Sequence, residues 1–203
     1  SFGDEGGTAA GVISFENIGR AIAAFQRTIV SGDAAYDRFA NGDKTALSAA
    51  AQSGLRLFTS ARLNCSTCHV PPFFTDAIGD VHFHNTGLYN VDGAGRLPGS
   101  DQGLANETNM PADIGRFRTP TLRNIKVTAP YMHDGSITSL RQVIDHYAAG
   151  GRAALHGKPS PLRSPLVRGF RISANERQDL IAFLESLTDT TFLADPRFRS
   201  PYQ

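Results

Sequence analysis

Apolar residues recur at helical spacing in four stretches of this 203-residue chain, and a long aperiodic stretch separates the first two from the last two. Phe15, Ile18, Ile22, Phe25 and Ile29 fall three or four apart and predict one face of a helix beginning near Ser14, with Glu16, Asn17, Arg20 and Arg27 opposite. Such a stripe is expected to face the core, a docking helix being the other reading. Leu47, Ala51, Leu55 and Phe58 mark a second helix that runs almost directly into Cys65. Pro71 and Pro72 prevent its continuation, and Phe73 and Phe74 then offer apolar surface to a core or to the edge of a flat ligand. From Ile78 to Arg118 periodicity gives way to Gly, Pro, Asn and Asp, and a loop this long in a compact domain is expected to wrap around something. Pro120 and Pro130 keep the next segment extended up to a tight turn at Asp134-Gly135. Ser139 with Gln142 predicts a capping box opening a third helix, lined by Leu140, Val143, Ile144 and Tyr147 and closed by Gly150-Gly151. The periodicity aims Tyr147 inward, which suits a core tyrosine with a bonded hydroxyl. After a Pro- and Gly-bearing loop over 152–171, Ser173 with Glu176 caps a fourth helix carrying Leu180, Ile181, Leu184 and Leu187. The tail after Thr188, with Pro196 and Pro201, is expected to pack along the surface.

A hydrophobic content of 40% lets a chain of this length bury a core as one domain or slightly more. Charges nearly cancel, to +1, so no nucleic-acid surface or polybasic membrane anchor is expected, and no apolar run approaches a bilayer span. Residues 1–11, rich in Gly, Ala and acidic side chains, read as a linker or severed loop. With Ser1 first and no signal peptide, the expectation is that a signal was removed or the chain was cut elsewhere.

The chemistry gathers at Cys65-Ser66-Thr67-Cys68-His69. Two thiols three positions apart reach the two vinyl groups of one porphyrin, and the histidine that follows is placed to bind its iron. These are the only two cysteines, so none remains for a disulfide framework. A structural zinc site would need two more ligands; His82 and His84 lie downstream, but their one-residue gap fits poorly with the usual three to five. A redox dithiol would expect a βαβ setting, which the surrounding pattern lacks. His82 and His84 remain candidate ligands, as do Met132 and Met110. Arg118, Arg123 and Lys126 are candidate partners for haem propionates, or simply a solvated basic face.

Several motifs resemble the bacterial di-haem cytochrome c peroxidases and their relatives of the methylamine-utilisation MauG type. They are Phe15-Glu16-Asn17-Ile18 with Ala21-Ile22-Ala23-Ala24-Phe25, Cys65 to His69, His84-Asn85-Thr86-Gly87-Leu88, and the long run from Phe117 to Gly135. The likeness continues through the Tyr147 helix to Ser186-Leu187-Thr188 and covers nearly the whole chain. It implies the second, carboxy-terminal haem lobe of a two-lobe protein, with His69 as proximal ligand. It also implies that Tyr147 stands where the peroxidases carry their methionine ligand, as in the MauG branch. A phenolate is a hard anionic donor favouring ferric and higher iron, whereas a thioether favours ferrous iron. The carbonyls of Thr128 and Pro130 are implied to help hold a calcium ion between the lobes. The first lobe, with its own haem motif, peroxide-site glutamate and inter-haem tryptophan, is not in this sequence, which has no tryptophan.

The expected fold class is therefore all-α, a cytochrome c-like haem domain with long haem-wrapping loops. Residues 1–45 are expected to form a linker and helix packing on the first lobe, and 46–203 the c-type haem domain. The expected function is the electron-relay half of a MauG-like di-haem oxidoreductase that reduces hydrogen peroxide or turns its oxidising power on a protein side chain. Its partners would be the first lobe, as a separate or cleaved chain, and an electron donor or protein substrate; its place, the periplasm. A mono-haem electron carrier using Met132 and a redox-sensing module are the competing readings.

Overall fold

A computed structural model describes residues 13–79, 82–198 and 200. The linker read at residues 1–11 and Pro201 lie outside the described residues. Helix α1 (Phe15–Thr28) forms where the stripe predicts it, and the Oγ of Ser14 caps it by accepting the Asn17 N–H at 3.2 Å. None of its residues is buried: Phe15 is 95% exposed, Ile22 52% and Phe25 53%. The expectation that this stripe faces the chain's own core is thereby corrected. Spacing reports that a face is apolar, and is silent about what covers it.

The core forms where helix α3 (Ala49–Phe58) packs on helix α7 (Ala174–Glu185). They meet at Gly54, where a Cβ would fall 2.0 Å from the Asp179 carbonyl oxygen, so only glycine permits the approach. Ser173 and Glu176 form the expected reciprocal capping box at the start of α7. Phe58 and Phe183 meet with ring centroids 5.0 Å apart, and Phe74, Leu180, Leu184 and Leu187 close around them. Helix α5 (Leu140–Ala148) adds Leu140 and Ile144 to the same cluster. Ser139 Oγ caps α5 through the Gln142 N–H, but the Gln142 side chain bonds the Thr138 N–H, one residue earlier than the sequence suggests.

Two buried carboxylates fasten distant parts of the chain. Asp37, in helix α2 (Ala35–Ala40), takes both terminal nitrogens of Arg123 at 2.9 and 2.8 Å. Asp189 accepts the N–H groups of Gly32 and Asp33, each at 2.9 Å, and of Phe192 at 2.8 Å, tying the segment after α1 to the start of helix α8 (Thr190–Ala194).

Among its described residues the long aperiodic segment is mostly irregular, with a short helix α4 (Ala105–Thr108) and one short antiparallel ladder; a second short helix, α6 (Arg152–Leu155), follows α5. Strand β1 (Phe83–Asn85) pairs with β2 (Arg116–Arg118) in the register Phe83↔Arg118, His84↔Phe117 and Asn85↔Arg116. Buried Asn85 fixes it, donating to the Ile114 carbonyl and accepting the Gly87 N–H, both at 2.8 Å. The described fold is therefore mostly helical with a small strand pair. No described helix is long and apolar enough to cross a membrane.

Candidate functional site

A cavity of about 850 Å³ opens beside the core, walled by Phe58, Leu63, Leu122, Ile125, Ile144, Leu180 and Leu184 on its apolar side. The thiol motif enters it through local geometry. Asn64 adopts a left-handed conformation (φ 60°), which asparagine tolerates, and turns the chain into a 3₁₀ turn over Cys65–Thr67. The Thr67 hydroxyl donates to Asn64 Oδ1 at 2.7 Å, and the His69 N–H closes on the Cys65 carbonyl at 3.0 Å. Cys65, Cys68 and His69 thereby all line the cavity. Burial pushes the Cys65 thiol up to about 12 and the Cys68 thiol up to about 11, so both are neutral thiols near pH 7.

His69 Nδ1 lies 3.0 Å from the Phe74 carbonyl, to which it donates. Phe74 makes this possible by holding φ at 54°, unusual for a bulky residue, with its ring fully buried in the core. Burial lowers the His69 pKa despite this bond and a further one to the Pro120 backbone, keeping the imidazole neutral, the form that can bind a metal.

Tyr147 lines the cavity as well. Burial raises its phenol, and the nearby Cys68 and Cys65 sulfurs raise it further. A bound ferric ion would reverse that sign, because a local cation favours the phenolate. The next residue back, His146, anchors the helix end: its Nδ1 accepts the Arg152 N–H at 2.9 Å, and its ring stands 4.9 Å from that of Tyr147, edge to face. Burial brings His146 down to about 4, so it is neutral. Nothing in the sequence pattern distinguished it.

Of the other candidates, Met132 lines the cavity, whereas Met110 is exposed and does not. His84 reaches the rim, bonded to Asp76 at 2.6 Å, and His82 is exposed. Cys68, Asp76 and His84 offer donor atoms within 4.8 Å of one another. That group takes in one cysteine and one of the two histidines, not the set a zinc site built on both cysteines requires.

Arg118 lines the cavity with a single long contact of 3.5 Å to the Ala77 carbonyl. Arg168, which the sequence did not single out, does the same at 3.4 Å to Ala61. Arg123 is placed elsewhere: its guanidinium is held by Asp37 and the Pro72 carbonyl and does not line the cavity, so the structure gives it a fastening task. Lys126 pairs with Glu185 at the surface. Thr128 and Pro130 are exposed at the cavity's edge; calcium takes six to eight oxygens, so two carbonyls are a minority of such a shell.

The donor set fits a c-type haem: an apolar slot, two thiols on one wall, a neutral imidazole beside them, and arginines at the mouth. A family profile described as di-haem cytochrome c peroxidase matches residues 2–45. The chain is 38% identical to cytochrome-c peroxidase IdrP1 of Pseudomonas sp. (strain SCT) over 208 residues, covering 91% of this chain and 53% of that protein. It is 39% identical to the methylamine utilization protein MauG of Methylorubrum extorquens, covering 86% and 45%. The crystal structure of a MauG-like protein associated with microbial copper homeostasis superposes with a TM-score of 0.87 at 42% identity, covering 94% of this chain and 62% of that one. Fold and likeness thus define a mostly helical domain of the cytochrome c peroxidase/MauG-like fold. The family model and the relatives it matches are those of the di-haem cytochrome c peroxidases, MauG among them. It spans about half the length of the curated relatives it matches.

Proposed function

We propose that this chain is the second-haem half of a MauG-like di-haem oxidoreductase that uses hydrogen peroxide, either reducing it or oxidising a protein side chain. One observation carries the reading: the Cys65-x-x-Cys68-His69 run and Tyr147 line one cavity whose remaining walls are apolar. Cys65 and Cys68 would tether the porphyrin, His69 and Tyr147 would bind its iron, and Arg118 with Arg168 would meet the propionates. The group supplies one-electron storage and transfer when bound. The apolar wall excludes water, and the Phe74 carbonyl fixes the His69 ring. Residues 1–45 would pack on the first lobe and 46–203 would be the haem domain proper; the exposed apolar face of α1 supports that division. With the first lobe supplying most of the ligands, Thr128 and Pro130 carbonyls would contribute to an inter-lobe calcium ion. The long segment over 78–118 would wrap the haem, as its lining residues His84, Gly103 and Phe117 suggest. Haem attachment after export would put the protein in the periplasm.

Met132 at the cavity wall favours a second reading, a mono-haem electron carrier with methionine ligation. The ferric visible spectrum separates the two. Tyrosine ligation gives no weak far-red methionine-to-iron band, and Tyr147→Phe changes the spectrum. A far-red band that persists in Tyr147→Phe overturns the tyrosine assignment.

A further inference from the structure

At the cavity wall three rings, Phe117, His133 and Tyr89, form a chain of contacts. Phe117 and His133 both line the cavity and stack on each other, with centroids 4.0 Å apart and planes 12° from parallel. Tyr89, half-buried and outside the cavity lining, has its ring 6.4 Å from that of the exposed His133 and edge-on to it. Its hydroxyl donates to Asp134 Oδ2 at 2.5 Å. Arg152 places its guanidinium 4.7 Å over the Tyr89 ring.

We propose that Tyr89 is a relay residue, oxidised by one electron through Phe117 and His133 and giving its phenolic proton to Asp134. This rests on the peroxide-using haem reading above. Tyr89 loses one electron to the oxidised cofactor in the cavity, its O–H bond breaks, and the proton converts the Asp134 carboxylate to the neutral acid. The oxidising equivalents come from hydrogen peroxide, which takes two electrons and two protons to become two water molecules; Tyr89 supplies one electron, and the second oxidising equivalent stays with the cofactor.

Each neighbour supports the assignment. Burial alone would raise the Asp134 carboxyl, but hydrogen bonds from Tyr89 and Ser136 outweigh it and hold the group ionised, ready to take a proton. The guanidinium over the ring disfavours a tyrosine cation, so oxidation there goes with proton loss. Tyr131 is the instructive contrast. It too lines the cavity, but its hydroxyl donates to the Ile125 carbonyl at 3.0 Å, and an amide oxygen is too weak a base to keep that proton.

The test is freeze-quench electron paramagnetic resonance on the full-length holoprotein after one equivalent of hydrogen peroxide, with the visible spectrum recorded in parallel. A tyrosyl radical is expected in the wild type, lost in Tyr89→Phe and strongly diminished in Asp134→Asn, with haem content unchanged. A nitroso spin trap followed by peptide mass spectrometry on the wild type should place the adduct on Tyr89, independently of any variant. A peroxide-induced change in the visible spectrum with no radical dependent on Tyr89, or with the adduct elsewhere, overturns the relay alone. No response of the visible spectrum to peroxide overturns the peroxide reading and the relay with it.

Discussion

At the scale of single residues, position and partner decide what a side chain does more than its type. Cys65, Cys68 and His69 were legible in the sequence because their geometry is set by five consecutive residues. Arg123 was not, because its partner Asp37 lies 86 positions away. The two side chains are only 10% and 11% exposed, so removing either leaves a buried charge. Arg123→Met is expected to cost about 3–5 kcal/mol in chemical unfolding while leaving the haem spectrum intact. A changed spectrum with unchanged stability would return Arg123 to the propionates. Tyr147→Met should introduce the far-red methionine band and raise the reduction potential, because a thioether favours ferrous iron more than a phenolate does. Asp189 gives a pH dependence. Burial raises its carboxyl, but the Phe192, Asp33 and Gly32 N–H groups win and hold it below its ordinary value of 3.8. Its folded pKa being depressed, its contribution is complete above that value and is lost as pH falls through the folded one. Asp189→Asn should therefore be less stable at pH 7 by about 1–3 kcal/mol, the two denaturation curves converging in acid. Parallel curves at all pH values would contradict this.

At the scale of elements, all four helical stripes appear as helices, since 3.6-residue periodicity is local information. What the stripes touch is not local. The α3 stripe meets α7, whereas the stronger α1 stripe meets nothing buried. The Gly54 contact was invisible for the same reason: a glycine inside a helical pattern looks like a weakness until the opposing backbone is known. Gly54→Ala should lower stability by about 1–3 kcal/mol, despite alanine's better helix propensity, because Asp179 backbone must shift. A gain in melting temperature would show that α3 and α7 are looser than described. The β1–β2 ladder was missed because three-residue strands are too short to show alternation; only Asn85, bridging them, marks its place.

At the scale of the whole molecule, a cavity beside a complete core and the exposed apolar face of α1 both fit the proposed function, in which the chain would hold a haem and dock on a first lobe through α1. Ile18→Asp with Ile22→Asp should change the stability of the 203-residue chain by no more than about 0.5 kcal/mol, since both residues are exposed in it. With the proposed first lobe present the same pair should be strongly destabilising by calorimetry, and equal effects with and without that lobe would remove α1 from the proposed interface. The cavity itself was legible only in part. The attachment run and the inward direction of Tyr147 could be read, whereas Arg168, His133 and the Phe74 carbonyl came from folding distant segments together. The proposed cavity assignments stand on a haem that Cys65 and Cys68 would hold covalently and whose iron His69 and Tyr147 would bind. The measurement that bears on it most directly is the intact mass, under denaturing conditions, of the chain produced in a host that attaches c-type haem. The expected result is the polypeptide plus one haem, retained after acid-acetone extraction. A mass of the bare polypeptide with both thiols free to alkylate would contradict the account.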